Sequence, residues 1–317
     1  MKKSREEIKK AILDALEQKP LSIQQISEKA ESNWSTINDV SEELKKEGKV
    51  RELIATDKIK IFAKKDYPVF YGIPLDEKII NDSLALMKII ATEWKSEKKT
   101  NPPLTTVQKI AVDVVEDCKL NLPVIEFHYG KVIPIIFDMG NKVKDIDVKK
   151  LRDNSKILEC IRKEILKHSE IAWRERNNQY KRYNMSLFQI KEEIQLIFKG
   201  KNIKDMDLER LNRKIIEFAL KYPVYEEEVY NLFSRFENSS VLLLETKSSE
   251  EKIKDYLQAI QTSFEKIWDL TTSYLFFKGV KKFVSRENLR IFDLIKDMQI
   301  NFKINCAESV IGIFLKF

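Results

Sequence analysis

Apolar residues recur at helical spacing in three successive stretches near the amino terminus, and this pattern constrains the fold more than any other feature of the chain. The first stretch covers residues 5–18. It opens with Ser4, whose hydroxyl can cap a helix, and Glu7 three positions later completes a capping box. The stretch stops before Pro20, because proline has no amide hydrogen for a helix interior. The sequence therefore predicts an amphipathic helix at this end of the chain.

The two stretches that follow predict a helix-turn-helix pair. Ser22 is a suitable cap for a short helix over Ile23–Ala30. The next helix is predicted to begin at Asn33 or Trp34 and to stop at Gly48, because glycine commonly ends a helix. Its inward-facing residues are expected to be Ile37, Val40 and Leu44.

Two runs rich in β-branched residues come next, Val50–Ile54 and Ile59–Phe62. The polar segment Ala55–Lys58 separates them and predicts a turn. The two runs are therefore expected to pair as a hairpin. The predicted order over residues 1–66 is helix, helix, turn, helix, hairpin.

With this order of elements, the segment LSIQQISEKAESNWSTINDVSEELKKEGKV resembles the winged helix-turn-helix family of transcription regulators. The resemblance rests on an apolar cluster before a Ser/Thr-rich helix start, and on a Leu-x-x-x-Gly-x-Val signature formed by Leu44, Gly48 and Val50. It covers about a fifth of the chain and identifies no subfamily. It implies that residues 1–66 bind double-stranded DNA, with the third helix as the recognition helix in the major groove.

The outward face of the third helix supplies the candidate DNA contacts. Hydroxyl and amide groups can bond base edges and phosphates, and lysines nearby can bind phosphates. The candidates are Trp34, Ser35, Thr36, Asn38, Lys29, Lys58 and Lys60. The same face also carries Asp39, Glu42 and Glu43, which the DNA backbone would repel. An alternative is therefore that the domain binds a protein partner through this acidic face.

The formal net charge of +7 is concentrated in one block of the chain. Residues 141–214 contain 20 Lys and Arg against 12 Asp and Glu, an excess of 8. Within this block a long helix is predicted from Ser155 to Tyr183, and its last third mixes cations with aromatic residues. The cations are Arg174, Arg176, Lys181 and Arg182. This mixture is compatible with a second nucleic-acid contact or with a solvated helix whose aromatic rings dock on a neighbour.

The segment from residue 67 to residue 140 is expected to be a mixed α/β connector or small domain. After the Pro- and aromatic-rich segment Asp66–Pro74, helices are predicted over residues 76–94 and after Thr105 as a cap. Two strands, Leu122–Phe127 and Lys131–Phe137, are expected on either side of His128. His128 is interpreted as a structural histidine, with ligand binding in partnership with Glu126 as the alternative.

The last part of the chain is predicted to be helical. Amphipathic helices are expected over residues 186–199, 206–220, 225–236 and 287–300, with Val241–Leu244 unassigned and Val310–Phe317 as a strand. Between Ile253 and Tyr274, apolar residues alternate at four- and three-residue spacing. This seam predicts either a homodimer interface or the central helix of a monomeric bundle.

Scarce residue types argue against several protein classes. The chain has two histidines, seven glycines and three widely spaced cysteines, Cys118, Cys160 and Cys306. These counts disfavour a histidine-rich metal site, a glycine-rich phosphate loop and a disulfide framework. No metal, cofactor or enzymatic activity is predicted. No apolar run reaches the roughly 18 residues of a membrane span, so a cytoplasmic location without membrane contact is expected.

The sequence thus predicts a mainly α protein: a winged helix over residues 1–66, the connector over 67–140, and a helical dimerisation or sensing domain over 141–317. The leading functional hypothesis is a homodimeric DNA-binding transcription regulator. The alternatives are a protein-interaction module, or a DNA-binding replication or partition protein of a mobile element. Lys outnumbers Arg by 45 to 12, which suits an AT-rich genome such as that of some archaea.

Overall fold

The computed structural model describes residues 3–17, 20–55, 60–65, 69–70, 73–134, 147–199, 207–246 and 249–314. Most of these residues are helical, so the predicted mainly α class is confirmed. The described residues fall into two compact units. The first contains residues up to Ile80 together with Val284–Ile295, and the second contains Asn81–Pro134, residues 147–283 and residues from Lys296 onward.

Three helices and three strands make up most of the first unit. The helices are α1 (Arg5–Ala15), α2 (Ile23–Ala30) and α3 (Trp34–Lys46), and the strands are β1 (Leu21–Ser22), β2 (Val50–Ala55) and β3 (Lys60–Lys64). The predicted capping box is present, since the Ser4 hydroxyl accepts from the Glu7 amide and the Glu7 carboxylate accepts from the Ser4 amide. Ser22 and Asn33 likewise cap α2 and α3. The sequence therefore predicted the local order of this region well.

The three strands form an antiparallel sheet in the order β1-β3-β2. The register pairs Leu21 with Phe62, and Val50 with Lys64. The two-residue strand β1 was not predicted, because so short a strand has no pattern of its own. Its pairing ties the start of α2 to the hairpin.

A continuous apolar core joins α1, α2 and α3 to this sheet. Each fully buried aliphatic or aromatic side chain in it contributes about 1.5–3 kcal/mol relative to exposure. The members with no exposed surface are Ile12, Leu16, Ile26, Ile37, Leu44 and Phe62. All three residues expected to face inward from α3 are in this core.

The rest of the described residues contain four short strands and ten α-helices. The strands are β4 (Val69–Phe70), β5 (Ile73–Pro74), β6 (Ile125–Phe127) and β7 (Gly130–Val132). The helices are α4 (Glu77–Lys98), α5 (Leu104–Asp117), α6 (Lys149–Arg152), α7 (Ser155–Lys167), α8 (Ala172–Arg182), α9 (Ser186–Phe198), α10 (Leu208–Leu220), α11 (Glu227–Glu245), α12 (Glu250–Val280) and α13 (Leu289–Phe314). None of the helices in the described ranges is long and apolar enough to cross a membrane.

A two-stranded hairpin, β6-β7, lies among the helices of the second unit. Gly279 of α12 lets β6 pack closely, because a Cβ there would lie 2.8 Å from Cγ2 of Ile125. On the other side, the buried Gln108 side chain of α5 pairs with both backbone groups of Ile133 just beyond β7. The hairpin is therefore held by specific contacts with α5 and α12.

The predicted single helix from Ser155 to Tyr183 is wrong. The chain forms α7 and α8 instead, separated by His168–Ile171. At the break the Ser169 amide donates to Oε1 of Glu175 at 2.8 Å, and its carbonyl accepts from the Thr106 hydroxyl at 3.0 Å. These bonds replace those that a continuous helix would supply to the backbone.

Other predicted boundaries also differ from the structure. Residues Val310–Phe314 belong to α13 and not to a strand, because they continue a helix that is already established. The run Val241–Leu244 is likewise the end of α11. Strand β7 ends at Val132, short of the predicted Phe137. The cap of α5 is Pro103 and not Thr105.

The heptad seam lies inside the second unit. Of its residues, Leu257, Ile260, Phe264, Ile267 and Thr271 are all buried on α12. Phe264 packs edge-on against Phe218 of α10, with ring centroids 5.3 Å apart. The seam is therefore the central contact of a helical bundle within one chain.

Candidate nucleic-acid interface

The first turn of α3 presents a polar and aromatic surface to solvent. Trp34 is 55% exposed, Ser35 is exposed, and Thr36 is half-buried. Asn33 caps the turn by accepting from the Thr36 amide at 2.8 Å. A capped helix start with exposed hydroxyls can donate to and accept from base edges and phosphates.

Asn38 lies one turn further along α3 and is bound within the unit. Its Oδ1 accepts from Nζ of Lys60 at 3.2 Å, and Nζ also contacts Oε1 of Glu42 at 3.0 Å. This pairing lowers the pKa of Glu42. Two predicted DNA contacts, Asn38 and Lys60, are therefore brought together, and each must exchange a partner to bind DNA.

The acidic residues at the far end of α3 are neutralised within the first unit. Glu43 binds Lys9 at 2.6 Å and Arg5 at 2.8 Å. Glu47 binds Lys49 at 2.8 Å and Lys9 at 2.6 Å, and these bonds lower the pKa of Glu47 to about 2. The repulsion expected between this helix and a phosphate backbone is therefore smaller than the sequence indicated.

The remaining predicted contacts differ in their surroundings. Lys29 is exposed at the end of α2. Asp39 is exposed on the outer face of α3. Lys58 lies outside the described residues. The described part of the candidate interface therefore consists of the start of α3, the end of α2 and Lys60 of β3.

The four cations of the predicted second contact occupy different environments on α8. Arg174 and Lys181 are exposed, and Arg174 lies 5.7 Å from the Trp173 ring centroid. Arg176 is half-buried, with Cζ 5.1 Å from the ring centroid of Tyr129. The helix therefore does not align these side chains as one basic stripe.

Arg182, the fourth cation, is the centre of an ion network. Its Nη1 bonds Oδ2 of Asp113 at 2.7 Å and Oε2 of Glu164 at 3.3 Å, and its Nη2 bonds Asp117 at 3.0 Å. The Tyr183 hydroxyl donates to Oδ1 of Asp113 at 2.6 Å. Asp113 and Glu164 are buried, so they depend on these partners for their charge.

His168 joins the same network at the break between α7 and α8. Its Nε2 lies 2.9 Å from Oδ2 of Asp113, and its Nδ1 bonds Glu175. Burial opposes the charged ring, but the two carboxylates together raise the pKa of His168 to about 9. A ring that bonds a carboxylate at each nitrogen is an imidazolium with both nitrogens donating.

Asp113, Glu164 and His168 also hold ligand atoms within 4.8 Å of one another, which is compatible with a metal site. However, the same carboxylates already bind Arg182 and Lys167. A cation would have to displace these partners and the proton on His168. We therefore assign the group as a buried ion network.

Lys109 of α5 is a buried cation that the sequence analysis did not select. Its Nζ donates to the carbonyls of Tyr129 and Lys131 at 2.8 and 3.0 Å and to Oε1 of Gln179 at 2.7 Å. Burial and the nearby Arg176 lower the pKa of Lys109 to about 7. The polar spacing of α5, with Gln108, Lys109 and Asp113 on a mostly apolar helix, was the signal that could have identified it.

His128 has a structural setting. Its Nδ1 lies 3.2 Å from the Thr272 hydroxyl, and its Nε2 lies 3.3 Å from Oδ1 of Asp269. Against the effect of burial, His128 and Lys303 lower the pKa of Asp269 to about 2. The charged partner of His128 is therefore Asp269 of α12, which is distant in sequence, and not the Glu126 of the alternative interpretation.

The three cysteines are free and of intermediate exposure. Burial, together with the neighbouring Cys118 thiol, raises the pKa of Cys160 to about 12.

Comparisons of the chain with family models, with curated proteins and with solved structures found no match.

Proposed function

We propose that residues 1–66 form a winged-helix module that binds double-stranded DNA, and that the chain is a transcription regulator. The observation that carries the proposal is the start of α3, where Trp34 and Ser35 are exposed beside the half-buried Thr36. This turn follows a short helix and a tight connection, as in helix-turn-helix readers of the major groove.

The charge pattern of the first unit supports this proposal. The carboxylates at the far end of α3, Glu43 and Glu47, are paired with cations, whereas Lys29 is exposed. A phosphate backbone would therefore meet hydroxyls and a lysine near the start of α3, the exposed Asp39 about one turn further on, and neutralised carboxylates at the far end. Counterion release by lysines would supply affinity, and the hydroxyls would contribute base contacts.

Mobility-shift assays on random and genomic duplexes at low salt test the proposal. We expect Ser35→Glu to reduce binding at least tenfold, because it places a negative charge on the first turn of α3. Gln258→Glu adds the same charge to an exposed position on α12 and is expected to bind like the wild type. Absence of duplex binding by the wild-type chain would refute the proposal.

A second function, binding of a protein partner, is favoured by one observation. Trp34 exposes more than half of its surface, and the acidic Asp39 is exposed on the same helix. The double variant Asp39→Lys, Glu42→Lys distinguishes the two functions, because it should change DNA affinity and partner affinity in opposite directions. It is expected to strengthen DNA binding if α3 faces phosphates, and to weaken capture of a partner that is basic if α3 faces a protein.

A further inference from the structure

Lys191 of α9 is a buried cation with incomplete hydrogen bonding. Only 1% of its surface is exposed. Among the described residues Nζ makes one hydrogen bond, a long one of 3.4 Å to Oε1 of the adjacent Glu192. An ammonium group has three donors, so this contact leaves most of its capacity unused.

Two further buried donors lie near Lys191. The Tyr180 hydroxyl and Nε1 of Trp268 are both buried. Within the described part of the chain Nε1 of Trp268 has no hydrogen-bond partner, and the Tyr180 hydroxyl approaches the Glu192 carboxylate without reaching hydrogen-bond geometry. Their rings pack on Phe188, with centroids 5.7 Å and 5.1 Å away, and Phe188 precedes Lys191 by three positions on α9. Nζ of Lys191 is 5.6 Å from the Trp268 ring centroid.

Arg176 and Tyr129 complete this group, which we call the Lys191 cluster: Tyr129, Arg176, Tyr180, Lys191 and Trp268. The Tyr129 ring centroid is 4.8 Å from Nζ of Lys191 and 5.1 Å from Cζ of Arg176. Glu192 is the carboxylate that acts on both Tyr180 and Lys191. The cations are Arg176 and Lys191, and the carboxylate is Glu192. The formal charge of the cluster together with Glu192 is therefore positive.

A buried donor without an acceptor typically costs 1–3 kcal/mol, and a charged one costs more. Native proteins rarely leave several such groups together, and an unoccupied ligand site is one physical reason for them. The cluster is rich in donors and poor in acceptors, so it is complementary to a group that only accepts hydrogen bonds. An oxyanion is such a group.

We propose that the Lys191 cluster is a binding site for the oxyanion group of a small ligand, either a phosphate or a carboxylate. Lys191, Arg176, Tyr180 and Trp268 supply the donors. The ligand enters where Tyr129 covers Lys191, because Tyr129 is 53% exposed and lies in the turn between β6 and β7. Burial lowers the pKa of Lys191 in the free protein, and a bound anion would raise it again. The site does not depend on DNA binding.

Thermal unfolding and isothermal titration calorimetry of the full chain test this site with inorganic phosphate and with acetate, each against chloride at equal ionic strength. We expect at least one of the two anions to bind saturably and to raise the melting temperature by roughly 5 °C near 100-fold excess over its dissociation constant. A shift with phosphate alone identifies a phosphate ligand. A shift with acetate alone identifies a carboxylate ligand.

Three variants make the test specific. Lys191→Met is expected to abolish the anion shift while leaving the chain as stable as the wild type, or more so, in chloride, because it removes a poorly paired buried charge. Lys163→Met, at an exposed position on α7, removes the same charge and should retain the full shift. Tyr180→Phe removes only the hydroxyl, so it should fold and bind the anion about fivefold more weakly.

The proposal is overturned if neither anion gives a saturable shift beyond chloride, or if Lys191→Met and Tyr180→Phe retain the wild-type shift. Loss of stability in Lys191→Met without any anion effect in the wild type would show that Lys191 is purely structural. If Lys191→Met does not fold, Tyr180→Phe alone decides the result.

Discussion

At the scale of single residues, the chain uses buried charge in an uneven way. His168 is bonded at both nitrogens by carboxylates, whereas Lys109 is bonded only by neutral acceptors. The pKa of the histidine is accordingly raised and that of the lysine is lowered. The two groups therefore make opposite contributions to the dependence of stability on pH.

The contribution of His168 follows from the direction of its shift. Its pKa is about 9 in the folded chain and 6.5 ordinarily, so its stabilising effect is fully present below about pH 6.5 and is lost as the pH rises through 9. The difference in unfolding free energy between wild type and His168→Gln should fall by about 3 kcal/mol over this range. Urea titrations at pH 6 and 9.5 measure it. A constant difference would contradict the imidazolium assignment.

A wild-type titration alone does not isolate His168, because Lys109 changes the unfolding free energy with pH in the opposite direction. With a folded pKa of about 7 against 10.5 ordinarily, Lys109 weakens the folded state at low pH, and this effect fades as the pH rises from 7. The two slopes partly cancel in the wild type. Subtracting the His168→Gln titration from the wild-type titration isolates the histidine.

The fold requires glycine at position 130, because a side chain would not fit there. Its φ is +95°, and a Cβ there would lie 2.4 Å from Oε1 of Gln179, the acceptor of Lys109. Gly130→Ala should lower the unfolding free energy by about 2–4 kcal/mol through strain and displacement of Gln179. Gly312 is in a helix of the same unit, and a Cβ added there would meet no described atom within 4 Å. Gly312→Ala should therefore raise the unfolding free energy by about 0.5–1 kcal/mol. Equal effects in denaturant unfolding would disprove this account.

At the scale of elements, α8 shows that charge count does not define a binding surface. Lys181 is exposed, but the adjacent Arg182 binds Asp113, Glu164 and Asp117. We expect Arg182→Met to lower the unfolding free energy by about 2–3 kcal/mol, since it removes the cation shared by the buried Asp113 and Glu164 while Arg182 itself is about one-third exposed. Lys181→Met should change it by less than about 0.5 kcal/mol.

The same pair of variants separates structure from nucleic-acid binding. If α8 is a second DNA contact, Lys181→Met should lower the salt slope of binding even though it leaves stability unchanged. Unfolding curves and salt titrations on both proteins give the answer. An Arg182→Met protein as stable as the wild type would contradict the network.

The element α3 permits a test of orientation on DNA. Lys29 is exposed near the start of α3, and Lys29→Ala should reduce the salt slope of binding by about 0.9, the release expected for one phosphate contact. Lys49 pairs with Glu47 beyond the opposite end of α3, about 20 Å from the first turn. Lys49→Ala should leave the slope unchanged. If mobility shifts at graded salt show a smaller salt slope for Lys49→Ala and an unchanged slope for Lys29→Ala, the DNA lies at the other end of the helix.

At the scale of the whole molecule, the seam on α12 belongs to the core of the second unit. Phe264 is 1% exposed and packs on Phe218 and Phe236. Phe264→Ala should lower the unfolding free energy by about 3–5 kcal/mol. The loss should be the same at every protein concentration, because the contact is within one chain. Sedimentation measured alongside tests the predicted homodimer, which would have to use another surface.

Much of the local structure could be predicted from the sequence. The caps Ser4, Ser22 and Asn33 and the inward residues of α3 depend on neighbours within one or two turns, so their pattern is visible in the chain. The break after Lys167 could not be predicted, because the apolar stripe continues through it. Glu175 and Thr106 satisfy the backbone of Ser169 there once the chain has folded.

The sequence by itself determined the mainly α class, the order of the first elements and the exposed first turn of α3, because helix spacing and capping act over short range. Tertiary structure alone decided which charges are free. Arg182, Lys60 and Lys191 are alike in a list of basic residues, yet one is surrounded by carboxylates, one is shared with α3, and one is buried among aromatic rings. Desolvation and partner geometry depend on contacts between distant segments, and no spacing along the chain records them.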